Sequence, residues 1–210
     1  MRLGRIEDPV NEQYYGAVPA SSVGARGIEY FVEVYNDRFS RGSELRRLRT
    51  RVKTLAFASL PPAEQYGMIS VPLQLESPIV GAITDDLGDM DPTKWRMWGY
   101  DESESVYVAV PNETITHFEL GRGYWLITKN APPIDTSPAE GLSTPTDGPY
   151  SLSLSPGWNM IGDPFDFAVS WDSVLVNGQT MEEAESVLVE SPVAWESGGY
   201  VHDARVLEPF

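Results

Sequence analysis

Four aspartates crowd into the phrase "DDLGDMD", at Asp85, Asp86, Asp89 and Asp91. Hard cations such as Ca²⁺ gather roughly 6–8 oxygen ligands, and a carboxylate-rich loop can supply them. The spacing departs from the EF-hand order of alternating acids, a glycine and a closing glutamate, so the four form a weak calcium candidate. The same residues carry a second reading, in which Asp91 caps a helical turn and Pro92 takes its first position. His117 and His202 are the histidines of the chain. Neither has another His two or four residues away, so a helix or strand zinc motif is missing, and both read as solvent-facing strand residues. No G-x-S-x-G elbow occurs, and "GRG" at 121–123 lacks the lysine of a phosphate loop. With 31 acidic residues, carboxylate pairs at glycosidase spacing arise by chance. The expectation is a chain that is not an enzyme and needs no cofactor.

Tryptophan and tyrosine concentrate between Trp95 and Tyr200. Most should fill the core, since each such ring buries ~150–250 Å². Trp98, Tyr100, Tyr107 and Tyr200 flank polar hairpins. They are the candidates for an exposed platform on which the apolar face of a sugar ring could stack.

These groups need a scaffold, and the totals constrain it. A chain of 210 residues with 41% hydrophobic and 11% aromatic side chains can build a core. Its 18 Gly and 17 Pro favour many short strands over long helices. The absence of cysteine excludes disulfides and thiolate metal sites. No apolar run approaches the ~20 residues of a membrane helix. A net charge of −16 makes nucleic acid an unfavourable partner. "MRLGRIEDPVNEQYY" contains no apolar signal-peptide core.

Charge divides the chain. Residues 1–53 carry 10 basic and 7 acidic side chains, whereas 54–210 carry 5 and 24. The shift falls beside "SLPPAEQ", where Pro61-Pro62 enforces extended backbone, and a module boundary is expected there. Before it, 26–37 reads as one strand and 47–57 as another. In the second, Arg47, Arg49, Arg51 and Lys53 form a basic row. That row is either the solvated face of an edge strand or a stripe that docks on acidic groups, this chain's own second half among them.

After the boundary the sequence echoes itself at an offset of 92, with Gln65–Leu73 matching Gly157–Phe165. Tyr66 aligns with Trp158, Met68 with Met160, Ile69 with Ile161 and Pro72 with Pro164. "WGYDESESVYV" at 98–108 parallels "WESGGYV" at 195–201, and "FELGRGYWLI" at 118–127 parallels "RVLEPF" at 205–210. The expectation is two strand-rich units about a pseudo-two-fold axis, sharing one core. Tyr66 and Trp158 would then occupy equivalent buried sites.

"QYGMISVPL", "DDLGDMDPTKWRMWGYD", "LGRGYWLIT", the Ile134-Asp135-Thr136 segment and "LSPGWNMIGDPFDFAVSW" resemble a repeat unit of large modular extracellular bacterial proteins. In that family the unit follows a fibronectin type III-like or Ig-like domain, and many members end in a type IX secretion sorting domain. "ASSVGARGIEYFVEVYND" is similar to the last part of such a sandwich. The resemblance implies an all-β chain. Residues 1–60 would be the C-terminal part of a fibronectin type III/Ig-like sandwich. Residues 61–210 would be a paired-repeat β-module: repeat one 63–131, linker 132–148, and repeat two 149–210, short of its closing Gly-Tyr-Trp strand. Both ends then read as cut from a longer polypeptide. The implied role is a non-catalytic structural or adhesive module of a secreted or cell-surface protein. Its partners would be neighbouring domains, a glycan or a cell-surface protein. The alternative is a carbohydrate-binding module appended to a secreted hydrolase.

Overall fold

The computed structural model describes residues 4–6, 13–57, 60–186, 191–196, 198–202 and 204–209. In chain order the strands are β1 (Gly4–Ile6), β2 (Gln13–Tyr15), β3 (Ile28–Tyr30), β4 (Glu33–Tyr35), β5 (Ser40–Gly42), β6 (Arg46–Leu48), β7 (Arg51–Val52), β8 (Gly67–Ile69) and β9 (Leu73–Leu75). They continue as β10 (Trp95–Asp101), β11 (Val106–Ala109), β12 (Tyr124–Thr128), β13 (Gly141–Ser143), β14 (Val169–Ser170), β15 (Val193–Glu196), β16 (Gly199–His202) and β17 (Val206–Leu207). Among the described residues, helix is limited to one α turn, α1 (Val80–Ile83), and short 3-10 turns. The protein is all-β.

Two sheets carry the core. One is four-stranded and antiparallel, in the order β11-β10-β12-β8, and the other runs β7-β13-β9. Strict alternation along β10 buries Trp95, Met97 and Gly99 and turns Arg96, Trp98 and Tyr100 the other way. On β12 the inward set is Tyr124, Leu126 and Thr128. Ile69, Val71 and Leu73, from β8 through β9, and Val80 and Ile83 of α1 complete the same cluster. Burial of each such aliphatic side chain contributes ~1.5–3 kcal/mol, which makes this cluster the main source of stability.

The two strands expected before Pro61 are each broken. The 26–37 stretch divides into β3 and β4, which pair with β6 and β5 respectively. At the break Ser43 takes over: its Oγ accepts from Val32 N, and its own N–H donates to the Val32 carbonyl. The 47–57 stretch divides into β6, β7 and a single bridge from Ala56 to Asp135. Buried Thr50 causes that break, because its N–H donates to Ser143 Oγ and its hydroxyl to the Gly24 carbonyl. Beyond Thr50, β7 pairs with β13, so hydrogen bonding crosses the Pro61-Pro62 position. The basic row divides with the strand. Arg47 pairs with Glu29, whereas Arg51 meets Glu76 and Glu140.

The pseudo-two-fold arrangement is not what forms. Residues 67–69 are a strand, but 157–165 contributes only an isolated bridge from Ile161 to Arg122. Tyr66 is 42% exposed and Trp158 59% exposed, so neither fills the buried site expected of it. Asn159 supplies the reason. Its amide Nδ2 donates to the carbonyls of Ser155 and Gly157, and its Oδ1 accepts from Ser155 N. This knot closes the Pro156-Gly157 turn on itself and leaves Trp158 outside. Nor is the core shared between the two halves. From residue 149 on, Gly162, Asp163, Pro164 and Ala184 are the buried residues among those described.

Gly162 permits a close backbone approach. A Cβ there would lie 2.4 Å from Ser70 Cβ and 2.5 Å from the Arg122 carbonyl oxygen. Backbone cannot swing aside as a side-chain tip can. Gly162→Ala is therefore expected to destabilise the chain by about 1–3 kcal/mol, read as a lowered urea midpoint. An unchanged midpoint would mean that 160–162 does not lie against 121–123.

Candidate binding face

Register lines up several aromatic residues on the outward side of the four-stranded sheet. Tyr100 of β10 stands opposite Tyr107 of β11, and their rings meet at 5.1 Å and 66°. Trp98 stands opposite Ala109 on one side and Trp125 of β12 on the other. Trp125 in turn faces Met68 of β8. The tip of the β10–β11 hairpin is fixed by Asp101, whose Oδ1 accepts from the N–H groups of Ser103 and Glu104 and from the Ser103 hydroxyl. Those bonds hold the Asp101 carboxyl below its ordinary range.

A distant hairpin lies across this face. In β15–β16, Trp195 stands opposite Tyr200, with rings 5.0 Å apart. Trp195 packs edge-to-face on Trp125 at 5.1 Å and 88°, and its indole N–H donates to the Tyr66 carbonyl at 3.0 Å. Tyr200 and Tyr66 approach Trp125 at 6.5 and 6.4 Å, both nearly perpendicular. Edge-to-face contacts of this kind add ~0.5–1.5 kcal/mol each beyond area burial. Trp125 is only 9% exposed, while Tyr107 and Tyr200 remain 51% and 60% exposed. Burial, and then the neighbouring Tyr107 phenol, raise the pKa of the Tyr200 hydroxyl. The result is a well-packed tryptophan centre with half-open tyrosines around it.

All four platform candidates therefore belong to one surface: Trp98, Tyr100 and Tyr107 on the sheet, and Tyr200 on the hairpin laid against it. Trp125 and Trp195 complete it, with Tyr66, which was expected in a buried site. The alternation of β12 held the signal for Trp125, because Tyr124 and Leu126 point inward and the residue between them must point out.

The aspartate cluster does not converge, and the calcium candidate is corrected. Asp86 Oδ2 accepts from Asp135 N, and Asp91 Oδ1 accepts from the N–H and hydroxyl of Thr93. Asp91 thus caps a single turn, with Lys94 beside it. Its carboxyl is held below the ordinary range by the bonds from Thr93. Among the described residues, no three His, Asp or Glu side chains come together as a metal would require. His117 and His202 are exposed, the first at a bridge to Ile79 and the second on β16. Arg122 of the "GRG" phrase is engaged by Glu102 and the Ser153 carbonyl.

One titratable group stands apart. Asp163 is fully buried; its Oδ1 accepts from Phe165 N, and its Oδ2 has no partner among the described residues. Desolvation, with smaller contributions from Glu208 and Asp166, pushes its pKa up to about 7.

A scan against protein-family models, a search of curated proteins and a search of solved structures each found no match to this chain.

Proposed function

We propose that this chain is a non-catalytic interaction module of a secreted or cell-surface bacterial protein, and that it meets its partner through the aromatic face. The observation that carries this reading is the ring of half-exposed Tyr66, Tyr107 and Tyr200 around the packed Trp125–Trp195 pair. Exposed aromatic groups on a rigid base are what recognition surfaces use, because little side-chain entropy is lost on binding. The resemblance to modular extracellular proteins supplies the setting, with neighbouring domains as further partners.

The same observation favours a glycan as the partner, the role of a carbohydrate-binding module appended to a hydrolase. A phenol ring held on edge by its neighbour offers a flat apolar face to a pyranose and a hydroxyl to its rim. Glycan-array screening with tryptophan fluorescence tests this. Binding is expected to be lost at least about tenfold in Tyr107→Ala and Tyr200→Ala, with melting temperature lowered only slightly, as for exposed side chains. A chain whose array signal survives both substitutions would bind elsewhere. If no glycan binds, the protein-partner reading stands and the glycan reading falls.

A further inference from the structure

We propose a second site, an anion-binding cleft of about 170 Å³ that takes a tetrahedral oxyanion, a sulfate or phosphate group. It lies away in sequence from the aromatic face, between the Arg26-Gly27 turn, the β6 region with Arg47 and Arg49, and Thr144–Asp147 after β13. In a chain of net charge −16, three guanidinium groups line this cleft against one carboxylate in the lining, Asp147. They come from two walls, Arg26 from one and Arg47 and Arg49 from the other, and each is held by a bond at its Nε. Arg26 donates to the Asp166 carbonyl at 2.7 Å, Arg47 to Glu29 at 2.5 Å, and Arg49 to the Ser143 carbonyl at 2.6 Å. Arg49 also donates through Nη2 to the neutral Gln74. Anchoring at Nε leaves the Nη donors of Arg26 and Arg47 without an acceptor among the described residues.

Gly27 keeps the floor open. Its φ of +77° and the Leu48 carbonyl 2.9 Å from where a Cβ would stand exclude any side chain there. A planar carboxylate is satisfied by one bidentate arginine, whereas arginines on two walls, with the Thr144 and Thr146 segment as the third, suit an anion with oxygens in several directions. Asp147 in the lining and Glu29 on Arg47 oppose an anion, and Asp166 lies 4.0 Å from Arg26. Arg49, whose partners are neutral, is therefore the strongest donor.

Calorimetric titration of the 210-residue chain with inorganic sulfate and phosphate at low ionic strength tests the site. Saturable binding is expected, weakened about tenfold or more in Arg49→Gln through loss of a charge-assisted hydrogen bond. Exposed Arg41→Gln, outside the cleft, should leave it unchanged. Arg49 also anchors Ser143, so a second variant guards against misfolding: Asp147→Asn keeps every anchor and should tighten binding several-fold. Phenyl phosphate and phenyl sulfate separate the sources. Ester binding marks a group carried on a partner, and binding of the inorganic ions alone marks a free anion. No saturable binding, equal weakening by Arg41→Gln, or no gain in Asp147→Asn would overturn the proposal.

Discussion

Replacing Trp125 by alanine is expected to cost about 3–5 kcal/mol, the range for a large buried aromatic, while Trp158→Ala stays within about 0.5 kcal/mol. The asymmetry follows from packing. Trp125 touches Tyr66, Trp195 and Tyr200 and is 9% exposed, so its loss opens a cavity and releases the β15–β16 hairpin. Trp158 is 59% exposed beside a turn tied by Asn159, and its removal uncovers little. Urea midpoints of the two variants decide the matter. Equal and large losses would restore the buried, repeat-equivalent role for Trp158. Equal and small losses would mean that the hairpin does not rest on Trp125.

The second large effect is a pH dependence set by Asp163. Its carboxyl has a folded pKa of about 7 against an ordinary 3.8, because burial disfavours the ion. Between those values the folded chain holds a proton that the unfolded chain has lost, so stability falls as pH rises through the window and levels off above it. Each tenfold change in proton affinity is worth ~1.4 kcal/mol, so ionised Asp163 costs the fold about 4 kcal/mol. The charged groups facing it reinforce the direction: Asp166 and Glu208 repel the ion, and Asp166 is itself raised by burial against the opposing pull of Arg26. Asp91, Asp101 and Glu183 are shifted the other way, by the hydrogen bonds their carboxylates accept from Thr93, Ser103 and Thr180. Wild type should therefore lose stability from pH 5 to pH 8. Asp163→Asn, which keeps the acceptor for Phe165 N, should show a flatter profile and be the more stable chain at pH 8. Parallel profiles for the two would remove Asp163 as the cause.

Composition and alternation made the strand class legible. Gly and Pro punctuation predicts short strands, and 95–101 and 124–128 show the period-two pattern that sorts core from face. The polar hairpins flanked by Trp98, Tyr100, Tyr107 and Tyr200 pointed to the residues that assemble on one surface. What the sequence concealed was pairing. Thr50 and Ser43 break strands through bonds between their hydroxyls and backbone, at Gly24 and Val32 respectively, which the period-two pattern does not record. Asn159 turns an apparent strand into a knotted loop by the same means. The arginine cleft and buried Asp163 were illegible because their neighbours are about a hundred residues distant or lack periodicity.

The claim on which the binding face depends is that the Trp195–Tyr200 hairpin lies on the outer side of the four-stranded sheet. Proton NOE spectroscopy of the folded chain measures this directly. Cross-peaks are predicted between the Trp195 indole N–H and Tyr66 Hα, and between the ring protons of Trp195 and Trp125, whose centroids are 5.1 Å apart. A fully assigned aromatic spectrum in which Trp195 contacts only its own hairpin would contradict it.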